Sequence, residues 1–594
     1  MTLKRITRRS CLILSDRQYR RSDRILKRKF FQYLLPMFIT LASLSLNEFA
    51  DSMMVSRLLG SEGMAVVNLG APVMLIMAVL YTLLGCGGST VYAVRLGERD
   101  REGAGRSFTC SMTSAVCAGI AMTVICMVFF EPLSVIFCRD AALRATFDHY
   151  FRVLLMSAPL LIVILTFVQF LPVAGLPRYA TAVNVVANVV NIIMDYVYIR
   201  IFGMNVEGAA WATFTGYICA LLLVIYALIG KKLKLIISRD ILSSFRSFTD
   251  IIRQGGADVM SQIGFAVQIA VCNALAASFA HTAGVVAYSL CVQAISVSSI
   301  FIGALIGAYI PLLALLHGQR DHAGKAKLLK FVLGFVAVIA VVCALAFIIF
   351  APGAAALYNI TDTEQAALAV KALQIFSLCV PVRSLVIVYF RYLKVTGLTV
   401  YATLIGALDG FLSLLPIIFI MTHFMGISGI WWGYTVNAGF LLIFIMICNV
   451  VIMIRSAGRY KNPLLLENGS EGEVLADVTI PADKDDISGL ASHLQSICEE
   501  SGMDGRDAMH CALAVEEMAV YAADRGNAAS YMDILVRRTD GKIEIDFRSL
   551  GDPFDSMDRF AEDMETNIKL LRNLSKSISF EYNMGMNMTH ISLP

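Results

Sequence analysis

The feature that most constrains this chain is its series of long apolar runs. A helix needs about 20 mostly apolar residues to cross a bilayer. Twelve such runs precede residue 455, centred near residues 45, 78, 118, 162, 189, 218, 267, 300, 338, 383, 411 and 441. They are continuous rather than alternating, which argues for helices and against a membrane β-barrel. Charged residues make up only 16% of the 594, where soluble domains carry about a quarter. The expected fold is an all-α membrane protein of twelve transmembrane helices, followed by a separate C-terminal domain.

Charge divides the chain at the same place. Residues 1–455 hold 36 Lys and Arg against 20 Asp and Glu, whereas residues 456–594 hold 13 against 25. The first 29 residues carry eleven Lys and Arg, from Lys4 to Lys29, against Asp16 and Asp23. They have no cleavable apolar core, so they do not read as a secretory signal. The positive-inside rule puts this segment in the cytoplasm. The even-numbered loops agree: Arg95, Arg99, Arg101 and Arg106, then Lys231, Lys232, Lys234, Arg239 and Arg246, then Arg320, Lys325, Lys327 and Lys330. Twelve spans return the acidic tail to the cytoplasm. The 14 cysteines show no metal-ligand spacing and mostly lie within spans, where Cys behaves as a small hydrophobe. No resident metal or cofactor is expected, and nothing reads as a nucleic-acid surface. The partners expected are membrane lipid and a small-molecule substrate.

A repeat organises the membrane part. Gly97-Glu98-Arg99-Asp100, with Gly103, recurs as Gly318-Gln319-Arg320-Asp321, with Gly324, 221 residues later. At that offset Gly63 matches Gly284, Gly208 matches Gly429, and Trp211 matches Trp432. One residue of slippage aligns Pro159 with Pro381 and Gly175-Leu176 with Gly397-Leu398. A shared spacing over this length marks a duplication. Six spans per copy give both halves one orientation, the parallel-repeat arrangement in which a substrate cavity lies between rocking halves. The domains read as a basic segment 1–29, lobes 30–250 and 251–455, a Pro/Asn/Gly linker 456–472, and a tail domain 473–594.

Acids and amides inside apolar spans are the functional candidates, because such groups are costly in a bilayer. Span 1 carries Asn47, Glu48 and Asp51, and the two acids share a helix face. Paired carboxylates bind and release protons as a coupled system, and their oxygens also suit Na⁺. Span 5 carries Asn184, Asn188, Asn191 and Asp195 on one stripe. The alternative for such a stripe is interhelical hydrogen bonding. Asp409 in span 11 and Arg383 in span 10 are substrate-cavity candidates. Arg391 and Lys394 are expected to snorkel to the cytoplasmic face, with Asp409 as their partner or as a cavity residue. Asp258 stands near the start of span 7. Pro36 is placed to bend span 1. Gly303 and Gly307 form a small-residue pair suited to close helix packing.

These residues resemble a family. Phe49-Ala50-Asp51-Ser52, Arg57-Leu58-Leu59-Gly60, Leu69-Gly70-Ala71-Pro72, Gly85-Cys86-Gly87-Gly88-Ser89-Thr90 and Leu96-Gly97-Glu98-Arg99-Asp100 look like the multidrug and toxic compound extrusion (MATE) family. The resemblance covers roughly residues 30–455. It implies a bacterial exporter in the cytoplasmic membrane, driven by H⁺ or Na⁺ as coupling ion. In the DinF-like branch the cation site combines a span 1 Asp with an Asn and an Asp on span 5, which Asp51, Asn191 and Asp195 match. Pro36 matches the proline at which the family bends span 1. Glu48 stands where the family often has Asn, and Tyr196 where it often has Pro. A lipid-linked saccharide flippase of the same superfamily is the other transport reading, and it calls for a more cationic cavity.

The tail reads as an α/β sandwich: a strand at 474–480, helices near 486–500 and 506–524, strands 531–537 and 543–549 about the Asp540-Gly541 turn, a helix near 558–575, and a strand pair around Met584-Gly585. Leu513-Ala514-Val515-Glu516-Glu517 and Gly551-Asp552-Pro553-Phe554-Asp555 resemble anti-sigma-factor serine kinases of the histidine-kinase-type ATPase fold. That resemblance implies a base at Glu517. It places Tyr521 where a Mg²⁺-holding Asn belongs, Ser549 where the adenine-reading Asp belongs, before Gly551, and Glu565 and Asn567 where phosphate-side glycines belong. A base without those partners is not expected to transfer phosphoryl groups. The expectation is a transporter rather than an enzyme, with a non-catalytic tail that binds a cytoplasmic regulatory protein. A membrane sensor signalling through the tail is the third reading.

Overall fold

A computed structural model describes residue 22 and residues 24–230, 235–357, 363–456, 458–468, 473–481, 484–525, 531–539, 542–551 and 571–593. The basic segment up to residue 21, the Asp540-Gly541 turn, Pro553 to Asp555, Glu565, Asn567 and all but the end of the expected 558–575 helix lie outside the described residues. The chain divides into two units. One comprises Phe31–Ser456 with Asn462–Leu465, and the other comprises Met1–Phe30, Ala457–Lys461 and Leu466–Pro594.

The membrane unit is helical throughout. Its apolar helices are α1 (Arg24–Leu69), α2 (Ala71–Gly97), α3 (Arg101–Val128), α4 (Ala141–Val173), α5 (Pro177–Ile201), α6 (Glu207–Ile229), α7 (Ile241–Gly318), α8 (His322–Ala356), the bent pair α9 (Thr363–Ser377 and Cys379–Val395), α10 (Thr399–Met425) and α11 (Ser428–Arg455). Among the described residues ten helices are long and apolar enough to cross a membrane, or eleven if the bent pair is one span. The expected spans 7 and 8 both lie on α7, which breaks at Ala280 and His281. Pro36 sits inside a continuous stretch of α1, and the non-helical residue of that helix is Gly60.

Backbone geometry repeats with the sequence. Gly60 has φ 70° and His281 φ 46°, Arg99 has φ 64° and Arg320 φ 54°, and Gly175 has φ 83° and Gly397 φ 87°. The first two pairs are 221 residues apart, and the third is 222 apart, with the one-residue slip read from the sequence. The shared Arg-Asp motif now has a physical cause. After the left-handed arginine, Asp100 accepts from the Gly103 N–H at 2.7 Å and Asp321 from the Gly324 N–H at 2.8 Å, so each Asp caps the next helix. A Cβ on Gly103 would lie 2.0 Å from Asp100 Oδ2, and one on Gly324 would lie 2.5 Å from Asp321 Oδ2. The motif is a helix cap that requires glycine at its third helical position. Gly303 and Gly307 pack as expected, against Leu41 and Met37 of α1.

The second unit holds a five-stranded antiparallel sheet in the order β1-β2-β3-β5-β4. Its strands are β1 (Glu473–Pro481), β2 (Tyr531–Thr539), β3 (Lys542–Leu550), β4 (Ser577–Asn583) and β5 (Met586–Ser592). Two amphipathic helices, α12 (Lys484–Glu500) and α13 (Gly505–Arg525), share a core with it. Ile487, Leu490, Leu494, Val515 and Met518 of the helices meet Ile534, Val536, Ile545 and Ile591 of the sheet. The first residues of α1 belong to this unit. The Arg24 guanidinium lies 4.6 Å from the centre of the Tyr531 ring, and Lys29 donates to the Gly585 carbonyl at 2.8 Å.

Candidate functional site

In the first lobe α1 and α5 run side by side. Thr181 Oγ1 donates to the Pro36 carbonyl at 2.8 Å, and Asn188 Nδ2 donates to Ser43 Oγ at 3.1 Å, each pair 145 residues apart in the chain. Thr40 and Thr181 hydroxyls also meet at 2.9 Å. Continued at that spacing, Asn47 falls against Ile192 and Asp51 against Tyr196, so Asn191 and Asp195 lie one residue out of register with them. The α5 stripe therefore meets α1 through Asn188, at Ser43.

Burial differs along the stripe. Asp195 is 0% exposed, Asn191 5% and Asn188 9%. Asp51, Asn47 and Asn184 are partly buried, and Glu48 is exposed. Asn184 Nδ2 bonds back to its own helix at Ala180 O, and Asn191 Nδ2 donates to Thr213 Oγ1 of α6 at 3.2 Å. Both carboxylate oxygens of Asp195 and the Asn47 side-chain oxygen are buried with no hydrogen-bond partner among the described residues. No basic residue pairs with Glu48, Asp51 or Asp195 there either. Burying an ionised carboxylate without a partner is prohibitively costly, so this place favours a neutralised acid: a proton or an oxygen-coordinated cation. Just beyond Asp195, α5 ends in a π-helical turn, Val197–Ile201, a device that recurs at functional sites.

The second lobe handles charge differently. Arg383 donates to Asp409 Oδ2 from two nitrogens, at 3.2 and 3.3 Å, with both side chains largely buried. Asp409 stands on another π turn, Leu408–Leu412. Arg391 and Lys394 do not snorkel, contrary to expectation. Both form ion pairs with Asp258, and the Lys394 and Asp258 side chains are 2% and 3% exposed. Asp258, on the helix that packs against theirs, supplies the counter-charge and removes the need to reach water. Asp409 is thus the partner of Arg383, not of Arg391 or Lys394. Arg383 is neutralised one to one by Asp409, whereas Asp258 is shared between Arg391 and Lys394.

Hydrogen-bonding groups that the charge pattern did not single out are Thr40, Ser43, Thr181 and Thr213. Their signal is the constant spacing between α1 and α5, which needs a contact to reveal it.

In the tail unit Tyr521 is 2% and Ser549 8% exposed, and Glu517 is partly buried on α13. The Gly551 carbonyl accepts from Tyr582 Oη at 3.2 Å. A cavity of about 200 Å³, counted with its open side, is lined by Met518, Phe547, Arg548, Ser549, Asn587 and Thr589 among others. An arginine and a serine therefore edge the place where the resemblance puts an adenine-reading acid.

The comparisons with known proteins bear on the fold and on the family the chain resembles. Residues 36–197 match the MatE family. Multidrug export protein MepA of Staphylococcus aureus (strain MRSA252) is 23% identical over 404 residues, spanning 68% of this chain and 88% of that protein. The crystal structure of a MATE protein in complex with MaD3S superposes with TM-score 0.67 at 22% identity, over 73% of this chain and 97% of that one. The outward-facing structure of a multidrug resistance MATE family transporter of the MOP superfamily gives 0.66 at 21%, over 70% and 94%. At that identity the structures speak for the fold alone. The chain is thus similar to MATE family multidrug exporters, and its membrane unit has the fold of the solved MATE structures.

Proposed function

We propose that the chain is a secondary active antiporter of the DinF-like MATE branch. It exports organic cations, drugs or toxic metabolites in exchange for H⁺ or Na⁺. Reading α7 as two spans, broken at the repeat-related equivalent of Gly60, gives twelve helices in two six-helix lobes that alternate in access. Both termini face the cytoplasm of a bacterial cell, by the distribution of basic loops.

The observation that carries this reading is Asp195: fully buried, both oxygens unpartnered among the described residues, with the buried Asn191 one helical turn before it on α5. The coupling ion neutralises this cluster when the site faces outside and leaves it when the site faces the cytoplasm. Glu48, at the exposed edge, serves as the entry carboxylate. Asn188, Asn184, Asp409 and Arg383 contribute polar groups on the substrate side. The tail is a degenerate kinase-like module, with Glu517 and Gly551 retained but Tyr521 and Ser549 in place of nucleotide ligands. It acts as a docking domain for a cytoplasmic protein.

The test is dye export from proteoliposomes under imposed H⁺ or Na⁺ gradients. Dissipating the driving gradient must abolish it and Asp51→Asn must impair it; export that survives both overturns the coupling assignment.

A further inference from the structure

The two lobes touch through a contact that the repeat makes self-complementary. A Cβ on Gly97, at the end of α2, would lie 2.4 Å from the Leu315 carbonyl oxygen and 2.8 Å from Gly318 Cα of α7. A Cβ on Gly318 would lie 2.1 Å from the Val94 carbonyl oxygen and 2.8 Å from Gly97 Cα. Val94 and Leu315, like Gly97 and Gly318, are related by the repeat offset. The contact is thus an isologous interface within one chain, the same patch meeting itself across a pseudo-two-fold axis. A second reciprocal approach follows along α2. A Cβ on Gly87 would lie 2.3 Å from the Ile251 carbonyl, and one on Gly255 would lie 2.2 Å from the Leu83 carbonyl. Backbone meets backbone at both places, with no side chain between.

Position gives the contact its meaning. Gly97 and Gly318 lie two residues before the left-handed Arg99 and Arg320, which cap-forming Asp100 and Asp321 follow. These are the basic loops. Met37 of α1, which packs on Gly307, is 14 residues before Asp51, about 21 Å along a helix. The glycine contacts therefore close the lobes at the basic-loop end, and the acid cluster lies well beyond them.

We propose that the Gly97–Gly318 contact is the cytoplasmic seal of the transport cycle. It closes to shut the cavity off from the cytoplasm and parts to open it. Interlocked side chains would have to unthread before the lobes could rock, whereas two bare backbones separate without that barrier. Symmetry makes the seal fail equally from either side, because each glycine admits the other lobe's carbonyl. The inference rests on the alternating-access reading but not on the identity of the coupling ion.

Cys86, partly buried at the π turn of α2 beside Gly87, is a native reporter behind the seal. Full-length protein in inside-out vesicles is treated with a membrane-impermeant maleimide, and Cys86 modification is followed by peptide-resolved mass spectrometry. Gly97→Val and Gly318→Val are each expected to raise the rate at least fivefold. Gly334→Val, where an added Cβ meets nothing within 4 Å, leaves it unchanged. A Cys86 rate that stays at the parental value, or that rises as much in Gly334→Val, overturns the proposal. Should the valine proteins fail to reach the membrane, Gly97→Ala and Gly318→Ala are read in the same way, with at least a twofold rise expected. No substrate or gradient enters the measurement, so failure of the antiport reading and failure of the seal are separable.

Discussion

Asp195→Asn removes the acid that the coupling reading depends on while keeping its shape. Neither oxygen of Asp195 has a hydrogen-bond partner among the described residues, so the substitution breaks no donor–acceptor pair. The protein is expected to stay folded and monodisperse in detergent. What changes is thermodynamic. A proton crossing a gradient of one pH unit supplies about 1.4 kcal/mol, a factor of ten in the substrate ratio it can sustain. If Asp195 carries one coupled proton, the steady-state accumulation of a dye in proteoliposomes at that gradient falls tenfold in Asp195→Asn. Exchange of labelled for unlabelled dye without a gradient continues. A sodium gradient of tenfold gives the same arithmetic, and the cation whose gradient loses its effect is the coupling ion. A variant that still reaches the parental accumulation ratio under both gradients refutes the argument, because the buried carboxylate would then be dispensable to coupling.

Three further outcomes follow from the charged groups. Asp258→Asn leaves Lys394 and Arg391 without their counter-charge and should destabilise the membrane unit by about 3–5 kcal/mol, read as a lowered midpoint of thermal unfolding in detergent. Arg383→Met or Asp409→Leu alone should each cost a similar ~3–5 kcal/mol, whereas the double substitution should recover most of the loss; a strictly additive double would mean that the pair is not a unit. Purified full-length protein should hydrolyse ATP no faster than its Glu517→Gln variant, since Tyr521 and Ser549 stand where a metal ligand and an adenine reader would be required.

Much of this architecture was legible because apolar length and glycine spacing are strong signals. The motif around Arg99 and Arg320 could be aligned from sequence because the helix cap requires Asp and Gly at fixed positions, whatever surrounds them. The tail strands appeared within two residues of their observed ends, since 531–537 and 543–549 alternate with a period of two. The boundary between spans 7 and 8 was harder to place. His281, where α7 breaks, is the counterpart of Gly60 yet bears a side chain, so no glycine marks the turn. Arg391 and Lys394 misled because snorkelling is a default for long cations near a helix end. Only the packing of α7 against α9 brings Asp258 to them, across more than 130 residues of sequence. Thr40, Ser43, Thr181 and Thr213 are common residues in membrane helices. Their role in aligning α1 with α5 exists only in the contact.

The repeat also bears on why the acids of the proposed coupling site lie in one lobe. At the offset of 221, Asn47 corresponds to Gln268 and Asp51 to Cys272; with the one-residue slip, Asn191 corresponds to Ser413 and Asp195 to Ile417. The second lobe keeps the polar scaffold. Gln268 is fully buried with its amide unpartnered among the described residues, and Ser413 donates to Asn437 at 2.6 Å. Both carboxylates are gone. Cys272 instead meets Tyr434, whose hydroxyl lies 2.9 Å from that of Tyr288. A duplicated unit in which one copy retains two acids and the other retains neither has one place for a cation to neutralise. Of the second lobe's acids, Asp258 and Asp409 already pair with cations of their own. If transport is coupled, the charge that moves is therefore carried in the first lobe. Cys272→Ser, which alters the second lobe at the position of Asp51, should leave the accumulation ratio at a fixed gradient unchanged. A Cys272→Ser protein that loses the gradient dependence would place coupling in both lobes and overturn that asymmetry.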